Sequence, residues 1–135
     1  MSYALITDQQ IDEDDVKSAV QSDTAGAVVL FHGTIRNHDG GQAVNSLEYS
    51  HHPEAQAFLE KILAEEEART GLQLAAVHRV GSLAVGDAAL VAASAAAHRR
   101  EAFEAIENLV ERIKAEVPIW KRQHFSSGYS EWVGL

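Results

Sequence analysis

The chain has 135 residues, no cysteine and a formal net charge of −9 at pH 7. That length points to one domain over residues 1–135, and the lack of thiols excludes disulfides, thiolate metal sites and a cysteine nucleophile. The acidic balance disfavours nonspecific nucleic-acid binding, the longest apolar run (Ala88 to Ala97) is too short to cross a bilayer, and the start of the chain lacks a secretory pattern, so a cytoplasmic protein without membrane contact is expected.

Tyr3 to Thr7 reads as a short strand. Asp8 to Asp15 supply capping residues, and Ile11, Val16 and Val20 recur at helical spacing, which predicts a helix over about residues 12–21. Gly26 to Gly33 is a continuous apolar run between turn signals, read as a buried strand. Arg36 to Gly41 is a polar loop, and Val44 to Tyr49 returns as a strand, with Val44, Ser46 and Glu48 alternating against Asn45, Leu47 and Tyr49. After Pro53, the stripe Ala55, Phe58, Leu59, Ile62 and Leu63 predicts a helix to about Arg69, ended by Gly71. Leu72 to Val80 and Ala88 to Ser94 read as strands joined by a turn-bearing link with Gly81 and Gly86. A long helix over 98–116 follows, with Phe103, Ile106, Val110, Ile113 and Val117 as its core face, stopped by Pro118. Ile119 to Phe125 and Glu131 to Val133 are closing strands separated by Ser126-Ser127-Gly128. The order predicts an α+β fold, with a mixed or antiparallel sheet and two main helices packed on it.

Charge is unevenly spread. Residues 1–67 carry a balance of −10 and residues 68–135 a balance of +1. Against that trend, Arg112, Lys114, Lys121 and Arg122 crowd a helix end and the strand after it. Such a local excess of cations points to a small anionic ligand. On a helical wheel Lys114 falls about 20° from Phe103, beside the expected apolar face, and a partly buried lysine can lose its proton near neutral pH. A snorkelling Lys114 and an exposed Lys121 remain the bland alternative. Arg36 leaves the buried strand after Gly33-Thr34-Ile35, where it can fork onto a phosphate or pair with one of the many acids. His98-Arg99-Arg100 open the long helix, where cations are unfavourable unless an anion sits among them; three exposed side chains countered by Glu101 and Glu104 are the alternative. His78-Arg79 matches no nucleophile or metal spacing and reads as structural. His51-His52 lacks a second ligand pair, so no metal is expected. No Walker loop, dinucleotide fingerprint or nucleophile elbow occurs.

Taken in order, these places carry a resemblance. They are Gly26 to Phe31 with Gly33 and Arg36-Asn37-His38; Leu47-Glu48-Tyr49; Val77 to Gly81; Ala97-His98-Arg99 with Ala102-Phe103; and Lys114 with Pro118 to Arg122 and Trp132. Over about residues 25–133 the chain resembles the large, catalytic subunit of molybdopterin synthase. The resemblance implies an α/β-hammerhead-like fold and a sulfurtransferase of molybdenum cofactor biosynthesis. That reaction converts cyclic pyranopterin monophosphate to molybdopterin. It takes two sulfurs from the thiocarboxylated C-terminus of a small ubiquitin-like partner, and no resident cofactor or metal is implied. It also implies a homodimer of large subunits within a heterotetramer. By the same resemblance, Lys114 and Lys121 are catalytic, and Thr34, Ile35, Arg36, His98, Arg99, Lys114, Lys121, Arg122 and Gln123 bind substrate. Three departures stand out: Thr34 where the family often has lysine, Gln123 where it often has glutamate, and a short tail ending at Leu135. A non-catalytic module binding a phosphorylated pterin, and a scaffold pairing through its apolar strands, are the competing readings.

Overall fold

The computed structural model describes residues 3–125, 128 and 130–134. Strand β1 (Tyr3–Thr7) and helix α1 (Glu13–Ser18) lead into β2 (Ala27–Thr34), β3 (His38–Asp39) and β4 (Gln42–His51). Helix α2 (Ala55–Thr70) is followed by β5 (Gln73–Arg79), β6 (Gly81–Ala84) and β7 (Ala88–Ala96). Helix α3 (Arg99–Glu116) then leads to β8 (Ile119–Phe125) and β9 (Ser130–Gly134). The expected residues Ser126 and Ser127 of the last turn lie outside the described residues.

The strands form two sheets rather than one. The first runs β1-β5-β7-β2, with β1 and β5 parallel and its other pairs antiparallel. The second runs β3-β4-β8-β9, and β6 also pairs with β4. The α+β class with a mixed sheet therefore stands, and β3 and β6 are additions in the polar loop and the turn-bearing link.

Side-chain alternation along the first sheet explains its layers. Ala75, Val77, Val91 and Ala93 pack with Val16 and Val20 of the α1 region. Leu74, Ala76, Leu90 and Ala92 face the other way, into the main core with Leu59, Ile62 and Leu63 of α2 and Leu109 and Ile113 of α3. Burying these side chains contributes roughly 1.5–3 kcal/mol for each large aliphatic.

Local chemistry sets the helix ends. Asp12 caps α1 by accepting a hydrogen bond from the Asp14 N–H at 2.9 Å. Gly71 ends α2 at φ 72°, a conformation open to glycine at little cost. Val117 leaves α3 with extended angles (φ −77°, ψ 124°), as the residue before a proline should.

Three local expectations change. Phe103 is 56% exposed and Phe58 44%, so neither belongs to the core. The α3 stripe instead buries Ala102, Ala105, Ile106, Leu109, Val110 and Ile113. In β4 a register shift between Val44 and Ser46 reverses the alternation, so Val44 is buried along with Leu47 and Tyr49.

Candidate active site

A cleft of about 260 Å³ opens between the two sheets at the C-terminal end of α3. The first sheet and the turn after β2 contribute Gly33, Thr34, Ile35, Arg36, His78 and Ala89. The second contributes Leu47, Tyr49, Lys121 and Gln123, with His38 at the rim, and α3 contributes Lys114.

Strand register explains which side chains enter. Tyr49 pairs with Lys121 and Leu47 with Gln123, so those four share one face of the sheet. The alternate pairs Glu48 with Arg122 and Ser50 with Trp120 share the other face. Trp120 and Lys121 therefore point to opposite faces. Arg122 consequently does not line the cleft; its guanidinium lies 5.7 Å from the centre of the Trp132 ring.

The cationic cluster read from the sequence is therefore divided. Arg112 binds Glu116, Glu65 and Glu66, with contacts at 2.6, 2.9 and 3.3 Å, and so ties α3 to α2. Only Lys114 and Lys121 of the four reach the cleft, where Arg36 joins them. Lys114 is exposed. Its wheel position beside Phe103 carries no burial, because Phe103 is itself exposed.

Lys121 is half-buried, and that burial holds its ammonium below the ordinary lysine range. Asp39 opposes this shift, whereas the charges of Lys114 and Arg36 add to it. The Gln123 side-chain amide donates to Asp39 Oδ2 at 2.7 Å and holds the carboxyl below its usual range; Lys121 and Arg36 act in the same sense. Arg36 reaches Asp39 at 3.5 Å and is otherwise largely open to solvent. The arrangement presents several cations around an open space, with one carboxylate at the rim. It can hold a phosphate and move a proton through a lysine.

His78 and Tyr49 were not among the expected site residues. His78 is 3% exposed, and its Nδ1 lies 2.8 Å from the Arg79 carbonyl oxygen. Burial, helped by the charge of Lys114, pushes its pKa down to about 4 against the opposing carbonyl contact. Its ring meets Tyr49 in a T-shaped contact, with centres 5.1 Å apart. The sequence signal for both was faint: a histidine ending an apolar strand, and a tyrosine in phase with Leu47.

His98 and Arg99 do not meet the lysines. They sit at the N-terminal end of α3, about 24 Å from Lys114 at 1.5 Å per residue, and both are exposed. Of Arg36, His98, Arg99, Lys114 and Lys121, a single chain brings together only Arg36, Lys114 and Lys121.

A larger cleft, of about 590 Å³, lies on the α1 side of the first sheet. Strand alternation puts His32, Arg79 and Ala88 there, while their neighbours Gly33, His78 and Ala89 face the smaller cleft. Asp12, Glu13 and Asp87 line it against Arg79, so its charge is wrong for an anion. Among the described residues, no group of three or more His, Asp or Glu side chains is disposed to hold a metal ion.

Residues 6–116 match the family model described as MoaE protein. The chain belongs to the MoaE family. Among its relatives, molybdopterin synthase catalytic subunit 1 of Mycobacterium tuberculosis is 40% identical over 98% of this chain and 90% of its own length. The molybdopterin synthase catalytic subunit of Bacillus subtilis is 40% identical over 96% and 83%. The crystal structure of molybdopterin synthase from Staphylococcus aureus superposes with a TM-score of 0.89, covering 98% of this MoaE chain and 97% of its own at 32% identity. A complex of subunits 1 and 2 of the molybdopterin-converting factor of Helicobacter pylori shares the MoaE fold, with a TM-score of 0.75 at 23% identity over 96% and 89%.

Proposed function

We propose that this chain is the catalytic subunit of a molybdopterin synthase, a sulfurtransferase that makes molybdopterin from cyclic pyranopterin monophosphate. The observation that carries the reading is the gathering of Arg36, Lys114 and Lys121 around one cleft in a strongly acidic member of the MoaE family. A small ubiquitin-like partner supplies sulfur as a C-terminal thiocarboxylate. The complex of two subunits described for the Helicobacter pylori factor supports that partnership.

Arg36 and the lysine ammonium groups hold the phosphate. Thiocarboxylate sulfur attacks a side-chain carbon of the pterin, water then cleaves the acyl–sulfur bond so that the partner leaves with a C-terminal carboxylate, and two such rounds complete the dithiolene. Lys114 and Lys121 move protons at those carbons and at the phosphate oxygen that departs as the cyclic ester opens. The depressed proton affinity of Lys121 suits it to give up a proton more readily than an ordinary lysine. Thr34 and Ile35 shape the cleft wall beside Arg36, and Gln123 keeps Asp39 at its rim. Arg122 lies outside the cleft, on the opposite face of the strand it shares with Lys121.

We assign His98 and Arg99 to the cleft of a second copy in a homodimer. Their distance from Lys114 along α3 supports that assignment, since one chain cannot bring them together. No helix among the described residues is long and apolar enough to cross a membrane, which fits a reaction in the cytoplasm.

The test is reconstitution with a thiocarboxylated partner and cyclic pyranopterin monophosphate. Wild-type protein should produce molybdopterin. Lys121→Ala should lower turnover by about 10²–10⁴-fold, the usual worth of a general acid or base, with an unchanged melting temperature. No conversion by the wild type rejects the function, and full activity of Lys121→Ala rejects the role of that lysine.

A further inference from the structure

We propose that Nε2 of His78 is a hydrogen-bond acceptor for the substrate, taking an N–H of its heterocycle at the floor of the cleft. The proposal rests on the reading of the chain as a pyranopterin-binding enzyme and adds a contact that separates the two ends of that ligand. The cations Arg36, Lys114 and Lys121 answer to the phosphate, and His78 with Tyr49 answers to the neutral ring.

The argument begins with what the buried ring does. An imidazole taken out of water needs partners for both nitrogens, and an apolar side chain of similar size would fill the space at less cost. One nitrogen is satisfied: a carbonyl oxygen can only accept, so Nδ1 carries the proton and donates to the Arg79 carbonyl at 2.8 Å. That bond selects the tautomer and leaves a lone pair on Nε2. No hydrogen bond joins Nε2 to any described residue, while the ring lines the cleft. The T-shaped contact with Tyr49, at 76° between planes, holds the ring from the opposite sheet. An oriented acceptor without a protein partner is thus built into the cleft floor. Burial and the nearby Lys114 charge keep the ring neutral at working pH, so the lone pair stays available. A reduced pterin carries N–H and amino donors along its edge, whereas its phosphate has only acceptors. The pterin is therefore the part that fits, and the phosphate the part that does not.

The test separates the two nitrogens. His78→Asn puts an amide near the Nδ1 position, so it keeps a donor for the Arg79 carbonyl and removes the group facing the cleft. His78→Gln reaches the Nε2 position and restores an acceptor there. Equilibrium binding is measured for two probes, cyclic pyranopterin monophosphate and inorganic phosphate. His78→Asn should weaken pyranopterin binding about three- to tenfold, the fold-change of one neutral hydrogen bond, and leave phosphate binding unchanged. His78→Gln should bind the pyranopterin within about twofold of wild type. Pyranopterin affinity unchanged in His78→Asn overturns the contact. So does an equal loss of both probes in both variants, which is the result of a purely structural histidine. Wild-type protein that binds phosphate but no pyranopterin overturns the functional reading itself and, with it, this contact.

Discussion

Arg112→Met removes the central cation of the α2–α3 clamp while keeping an unbranched side chain against the helices. In the wild type, Glu66 is 5% exposed and is held by Arg69 at 2.6 Å and by Arg112 at 3.3 Å. Breaking a fully buried ion pair costs about 3–5 kcal/mol, because a charge is left uncompensated. Here Glu66 retains Arg69, and the Arg112 side chain is 28% exposed, so water screens part of the loss. Glu65 and Glu116 lie near the surface and add little. About 2 kcal/mol remains, which for a chain of this length lowers the Tm by about 7 °C. The sign with pH is also set. Hydrogen bonds from Arg69, then Arg112, hold the Glu66 carboxyl below its ordinary value. Its contribution is therefore present above that ordinary value and is lost as pH falls through the lower, folded-state value. Thermal melts at pH 7 should show the full gap between wild type and variant, and melts in acid should show it closing. Turnover at 25 °C should stay within about twofold, since Arg112 lies outside the cleft. An unchanged Tm at neutral pH, a gap that widens in acid, or lost turnover in a stable variant would refute the division of the cations drawn above.

Asp39→Asn removes the one charge that raises the proton affinity of Lys121, so the limb of the pH–rate profile reporting Lys121 should move to lower pH; Arg36→Gln should move the same limb upward. Gln123→Glu replaces the donor to Asp39 with a second carboxylate, and the raised carboxyl pKa that results should make the variant more stable relative to wild type in mild acid than at pH 8, read by thermal melts. Gly26→Ala would drive a Cβ into the Ala97 carbonyl oxygen, a backbone atom that cannot step aside. A destabilisation of about 1–3 kcal/mol is expected from such overpacking, checked by denaturant unfolding. Mixing Lys121→Ala with Arg99→Ala chains should restore part of the turnover that each lacks alone, if the cleft is completed across a dimer; no recovery in verified mixed dimers would assign Arg99 no such role.

What the sequence revealed depended on how local the signal was. The helices and long strands announced themselves through periodicity, proline and glycine: α3 and β8 lie where Pro118 and the apolar spacing put them. The short β3 and β6 were hidden, since two to four residues hold too few side chains for a period and depend on β4 as a partner. Phe103 misled because a helical stripe shows which residues share a face, while the tertiary neighbours decide how much of that face is covered. At the site, Arg36, Lys114, Lys121 and Gln123 were legible through motif order. Asp39, Tyr49 and His78 were not, because their places follow from pairings such as Gln123 with Asp39, separated by 84 residues. Separation along α3 also set limits on His98 and Arg99 that motif order alone does not contain.

The cleft lies along a seam between two separately paired sheets. The shortest of the chain's crossings of that seam is Val80, between β5 and β6, followed by Gly81 at φ 93°. Backbone ladders fix distances within each sheet, so they do not fix the aperture between Lys121 on one side and Gly33 on the other. That aperture is set by side-chain contacts such as His78 with Tyr49. Both sheets pack into one apolar core, with Leu47, Leu83 and Phe125 on one side of the seam and Leu74 and Leu90 on the other, so side-chain packing rather than strand pairing holds the two walls together. A bound molecule touching both walls would add a strut across the seam and tie the two sheets more firmly than packing alone.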